Sequence, residues 1–265
     1  LLRHGLLRQG LYGFHARHER QPKDSGVNQA SPAQRASQRG FLLALSCLAA
    51  AVAVSVIFID RPLSAALMNG DPRITAIAEW LTWFGRSLSY LVALGVTILV
   101  LSLIAWRARD QSIRRMALAW LWLAVYLFLA IALSGIANDI VKQLVGRPRP
   151  LVTPQELRPF YFGYAYQSFP SGHAAVAFAL GFAASTLLPR LTWLFLPLAA
   201  LVASTRIILN VHHLGDVIAS ALLALVIVHL LTRAFAARHL VFALDAAGRP
   251  RRIEQDRVRS NRPDP

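Results

Sequence analysis

From residue 40 to residue 238 the chain alternates long apolar runs with short polar breaks. Six runs, near 41–59, 88–106, 116–137, 172–189, 191–209 and 217–235, each approach the ~20 residues needed to cross a hydrocarbon core. The pattern predicts an all-α fold, a polytopic membrane bundle of six transmembrane helices. Arg206 and Asp216 intrude at the facing ends of the last two runs, where a charge is costly to keep and points to function. Two of the breaks have a pattern of their own. In 73–86, Ile74, Ile77, Leu81 and Phe84 recur at helical spacing beside Trp80 and Trp83, which predicts a short helix lying at the interface. The break at 151–169 holds Phe160, Tyr161, Phe162, Tyr164, Tyr166 and Phe169. Such aromatics anchor a chain at headgroup depth, and the alternative is a lip over which a lipid enters.

The flanks lack this pattern. Residues 1–39 are polar, rich in Arg, Gln and Ser, and predict a disordered basic tail. Residues 239–265 form a second basic tail, which leaves 40–238 as the membrane domain. The start at Leu1 fits a processed, fragmentary or misplaced beginning. A secretory signal is not expected, because the run from Phe41 to Ile59 is too long for a signal core.

Composition agrees with a lipid solvent: 55% of residues are apolar and mean hydropathy is +0.46. The net charge of +15 would suit a nucleic-acid binder, but no recognition motif accompanies it, so no nucleic-acid partner is expected. The basic residues sit instead in both tails and in short loops, where they meet anionic headgroups. If both tails are cytoplasmic, that side carries seven Lys and Arg in 1–39, four in 107–115, Arg190, and eight from Arg233 onward. That is 20 of 28, as the positive-inside rule requires. The expected location is therefore a bacterial cytoplasmic membrane with both termini inside. The lone Cys47 lies in an apolar run and has no partner for an intramolecular disulfide.

With that orientation three clusters share the outer face. The first is Lys142 to Pro150, where Lys142 and Arg149 are seven residues apart but Pro148 and Pro150 oppose a continuous helix. Arg149 would then reach back from a rigid turn. The second is Pro170-Ser171-Gly172-His173, which opens the fourth run. Ser171 suits an N-cap, Gly172 admits a ligand to the backbone, and free N–H groups at a helix start favour an anion. His173, one position in, can hand over a proton near neutral pH. The third runs from Arg206 to Asp216. His212 and Asp216 are four apart, so Asp216 can accept a hydrogen bond from one His212 nitrogen and leave the other as a nucleophile. His213, three residues from Asp216, is the alternative attacking group. A metal site built on His173, His212, His213 and Asp216 is not expected, because the ligand spacing is not compact and at least three cations crowd the same place. Each cluster alone reads as the snorkelling or capped end of a span. Together they offer what hydrolysis of a phosphate ester needs.

The ordered set of Lys, six residues, Arg-Pro; Pro-Ser-Gly-His; and Arg, five residues, His, three residues, Asp resembles the type 2 phosphatidic acid phosphatase superfamily. That group includes lipid phosphate phosphatases, bacterial class A acid phosphatases and vanadium haloperoxidases. The resemblance implies that Lys142, Arg149 and Arg206 hold phosphate oxygens, with Ser171 and the Gly172 N–H. It implies that His212 becomes phosphorylated, that Asp216 orients it, and that His173 protonates the leaving group and later activates water. His213 has the wrong offset from Arg206 for this pattern, and Thr205 stands where a serine is common. No cofactor or metal is implied. The implied substrates are lipid phosphates or diphosphates such as undecaprenyl diphosphate, phosphatidylglycerol phosphate or phosphatidic acid. Lipid phosphotransfer through the same phosphohistidine, haloperoxidase activity and a non-catalytic anion- or lipid-binding membrane protein are the alternatives.

Overall fold

The computed structural model describes residues 32–245 and 247–253; of the tails expected over 1–39 and 239–265, residues 1–31 and 254–265 lie outside the described residues, and residues 32–39, expected to be disordered, are helical instead. Eight α-helices follow in order: α1 Pro32–Val54, α2 Asp60–Ala66, α3 Pro72–Leu81, α4 Ser87–Arg107, α5 Gln111–Val145, α6 Gly172–Leu187, α7 Thr192–Ile208 and α8 Leu214–Ala237. A π-helical turn, Ser55–Ile59, joins α1 to α2 in one long rod, and a 3₁₀ turn, Thr82–Gly85, leads from α3 towards α4.

Among the described residues, five stretches are long and apolar enough to cross a membrane: Pro32–Ala66, Pro72–Arg107, Gln111–Val145, Pro189–Ile208 and Leu214–Ala237. The protein is thus an all-α, multi-pass membrane bundle. The fourth expected span, 172–189, is shorter than expected: α6 has 16 residues, about 24 Å at ~1.5 Å per residue, because Leu188 leaves helical geometry ahead of Pro189. Its surroundings explain how it manages. Half of α6 is buried, mostly alanine, against α5, α7 and α8. Small residues let those backbones approach closely. By contrast α1 buries no residue, and from Phe41 onward it is apolar with Leu42 and Leu43 exposed, as expected of a lipid-facing helix.

The core lies between α5, α6 and α8. Tyr126 is fully buried there, shares a hydrogen bond of 2.8 Å with Thr232 and meets Phe235 and Phe242 edge-on. Phe242 opens a small hairpin, β1 Phe242–Leu244 antiparallel to β2 Pro250–Arg252. The hairpin falls in what the sequence suggested was only a tail. Val241 and Phe242 are buried in the core cluster and hold it there.

Helix direction sorts the loops into two ends. The connection from α5 to α6, the turn from α7 to α8, α2 and the 82–85 turn gather at one end. The other end holds the α4–α5 and α6–α7 connections and the hairpin.

Candidate active site

Everything expected of the site depends on where α5 stops. Gly146 caps it in the left-handed region (φ 57°), and its N–H returns to the Lys142 carbonyl. A Cβ there would lie 1.8 Å from the Arg158 carbonyl oxygen, so only glycine serves. The Arg147-Pro148-Arg149-Pro150 stretch therefore leaves the helix and turns across the bundle end. Lys142 stays on the last turn, nearly buried, with its ammonium 3.5 Å from Asp139.

The three clusters are then tied to one another. Arg149 donates from Nη1 to the Val211 carbonyl (2.8 Å) and from Nε to the Tyr164 carbonyl (3.0 Å), while its guanidinium lies 3.8 Å over the Tyr164 ring. A Cβ built on Gly172 would sit 3.7 Å from Lys142 Nζ, which puts the start of α6 beside that cation. The Ser171 N–H donates to the Asp216 carbonyl (3.2 Å), and Ser220 Oγ donates to the Ser171 carbonyl (2.8 Å). Lys142, Arg149, Ser171, Gly172, His173, Arg206, His212 and Asp216 thus lie at the same end of the bundle. Ser171 holds the N-cap position of α6 without a side-chain cap; its Oγ and Arg206 Nε are buried with no partner among the described residues. Two unpaired buried groups beside cations suit an anion's oxygens.

His212 differs from expectation in one respect. Its Nδ1 is 2.7 Å from the Ser168 carbonyl, whereas the Asp216 carboxylate is 3.7 Å away. Helical i, i+4 spacing does not apply, because α8 begins only at Leu214 and His212 precedes it. Asp216 instead occupies the third position of α8 and turns back to accept the His213 N–H (2.8 Å). A carbonyl only accepts, so Nδ1 carries the proton and Nε2 the lone pair. Burial pushes the His212 pKa down, and Arg149 and Arg206 push the same way against the pull of Asp216. The imidazole is neutral near pH 7, as a nucleophile must be. His213, capping α8, is lowered by burial as well.

Four residues complete the site without having been assigned roles from sequence. Ser168 Oγ donates to Asp216 (2.6 Å). Arg147 forks between Asp216 (2.7 Å) and Asp60 (2.8 Å). Thr82 Oγ accepts from Arg206 Nη1 (2.9 Å), and a Cβ on Gly85 would lie 2.9 Å from that of His173. The 72–85 segment, expected to lie at the interface, is therefore a wall of the site, with Trp80 and Trp83 exposed outside it. Arg147 lies within the first cluster, and Asp60 stands as a carboxylate at the end of the first apolar run. Phe160, Phe162 and Tyr164 are exposed on the 151–169 loop.

Residues 123–240 match the PAP2 superfamily. The chain is similar to the PAP2 superfamily over this segment, which holds all three clusters. It is similar to the lipid A 1-phosphatase of Rhizobium etli, 29% identical over 174 residues that cover 64% of this chain and 74% of the relative. The lipid A 1-phosphatase of Rhizobium johnstonii is 28% identical over 64% of this chain and 70% of its own length. Among solved structures, a transmembrane PAP2 type phosphatidylglycerolphosphate phosphatase from Bacillus subtilis superposes with a TM-score of 0.50 at 22% identity. It covers 75% of this chain and 95% of that one, and shares the fold. Asp60 and Thr82 fall outside the matched segment.

Proposed function

We propose that the protein is a metal-independent phosphatase that hydrolyses a lipid phosphate or diphosphate through a phosphohistidine on His212. The reading is carried by one observation: His212, its Nδ1 proton committed to the Ser168 carbonyl, sits at the same bundle end as Lys142, Arg149 and Arg206. Nε2 attacks phosphorus as the bond to the lipid oxygen breaks, and His173 gives that oxygen its proton. Water, deprotonated by His173, then attacks the phosphohistidine; the N–P bond breaks, phosphate leaves and the electron pair returns to Nε2. The three cations stabilise charge on the transferring group's oxygens, the largest catalytic contribution in such sites. Asp216, 3.7 Å from Nδ1, offsets the positive charge the ring gains.

In this reading α6 is a sixth crossing, both termini are cytoplasmic, and the site opens on the outer face of a bacterial cytoplasmic membrane. The relatives' names add lipid A 1-phosphate to undecaprenyl diphosphate, phosphatidylglycerol phosphate and phosphatidic acid as substrates to try. The test is phosphate release from that panel by detergent-purified protein, with and without chelator. Wild type should release phosphate from at least one lipid despite chelation, His212→Ala should abolish turnover, and Lys142→Ala should slow it by about 10²–10³. Chelator-sensitive release, or activity surviving in the His212 variant, refutes the mechanism. A phosphorylated acceptor lipid in place of free phosphate would turn the reading to phosphotransfer.

A further inference from the structure

We infer that Asp60, supplied by the first membrane rod, is a positioning residue for phosphoryl transfer: it shares Arg147 with Asp216 and so keeps the Asp216 carboxylate available to His212. The inference rests on the phosphohistidine reading above.

Asp60 is 1% exposed on a rod whose neighbouring residues Ile57, Phe58 and Ile59 are apolar and exposed. Such a carboxylate persists only when paired and hydrogen-bonded. It accepts from Ser55 Oγ (2.7 Å) and the Gly215 N–H (2.9 Å) on Oδ1, and from Arg147 Nη2 (2.8 Å) on Oδ2. The backbone is adapted to this end. In an α-helix, residues five apart point about 140° from each other at ~3.6 residues per turn. The π turn at Ser55–Ile59, closed by the Asp60 N–H on the Ser55 carbonyl, puts Ser55 and Asp60 on one face, both buried. Such turns are frequent at functional sites. On the facing helix, a Cβ at Gly215 would come 2.8 Å from Asp60 Oδ2 and from Val56, so glycine there admits the carboxylate.

Arg147 places one positive charge between two carboxylates. Were Asp60 neutral, the guanidinium would answer Asp216 alone. Asp216 would then offset less of the charge that His212 gains on phosphorylation. Asp60 also holds the first turn of α8 through Gly215, one residue before Asp216. Neither task touches the lipid phosphate.

The test is Asp60→Asn, which keeps the size and an acceptor oxygen. We expect kcat, and the single-turnover rate of phosphoenzyme formation, to fall by about 10–100-fold, the usual effect of a site's outer partners. KM and competitive inhibition by inorganic phosphate should stay near wild type, while the melting temperature in detergent falls by several degrees with the lost charge-assisted bond. If Asp60→Asn does not fold, Gly215→Ala, whose methyl pushes the carboxylate off Arg147, should show the same loss in kcat without a rise in KM. Wild-type kcat in the variant that folds overturns the inference, as does a loss in which KM and phosphate inhibition move with kcat. Wild type that forms no phosphoenzyme overturns the reading of His212 instead.

Discussion

Replacing Arg147 separates the work of charge from the work of packing. Its two terminal nitrogens lie 2.7 and 2.8 Å from carboxylates whose side chains are fully buried, and its own side chain is 13% exposed. Charge-assisted hydrogen bonds contribute about 1.5–3 kcal/mol each. Lysine can keep one of the two, so Arg147→Lys should lose about that much. Arg147→Ala loses both and leaves two buried carboxylates without a counter-ion, a cost of about 3–5 kcal/mol. At roughly 2–4 °C per kcal/mol, the alanine variant should melt about 6–20 °C below wild type in detergent. The source of that loss can be checked. If uncompensated charge dominates, adding Asp60→Asn to Arg147→Ala removes one stranded carboxylate and should recover several degrees. If the guanidinium matters only as a space-filling group, the second substitution should lower the melting temperature further. A double variant less stable than Arg147→Ala refutes the electrostatic account.

Two further perturbations follow from the same geometry. Gly146→Ala forces a Cβ into the Arg158 carbonyl at positive φ, so the Arg147–Arg158 turn must shift; we expect lower thermal stability and activity reduced by tenfold or more, and wild-type turnover would show that the turn tolerates displacement. In Asp216→Asn, His212 loses a charge that raises its pKa, while burial, Arg149 and Arg206 still lower it. The acid limb of kcat/KM, below the ordinary histidine value of ~6.5 in wild type, should move to still lower pH alongside the drop in rate, whereas an unmoved limb would mean that Asp216 does not sense His212.

Much of the bundle was legible because lipid imposes a strong rule on sequence: uninterrupted apolar length. That rule reads α1, α4, α5 and α7 well, since each leaves most of its surface unburied, and it reads α8 by apolar length although half of that helix is buried. It misreads the extent of α6, where alanines pack against protein and helix length answers to neighbours rather than to bilayer thickness. The Val241–Phe242 anchor escaped because two apolar residues in a basic stretch give no period. At the site, the residues with motif spacing were legible as a set. Their partners were not, because Ser168 acts through its carbonyl and Asp60 comes from a helix 150 residues away in sequence from α8. The i, i+4 argument for His212 and Asp216 failed since a capping turn, not a helix, lies between them.

The arginines show most clearly what spacing alone leaves undecided. Arg147 and Arg149 stand two apart in the same Arg-Pro-Arg-Pro stretch, identical in type and each followed by proline. The fold gives the first two carboxylates as partners and the second only neutral ones, the Val211 and Tyr164 carbonyls and an aromatic ring. Arg206 likewise donates to a hydroxyl, that of Thr82. A guanidinium answered by carboxylates has its charge neutralised and serves as a structural clamp. One held by dipoles is fixed in place while its charge remains uncompensated. A phosphate monoester carries about −1.5 to −2 at pH 7, and Arg149 and Arg206 retain the positive field to meet it; Lys142 joins them with one carboxylate partner, the exposed Asp139 at 3.5 Å. The partners of each cation, rather than its place in a motif, therefore decide whether it holds the protein or the substrate.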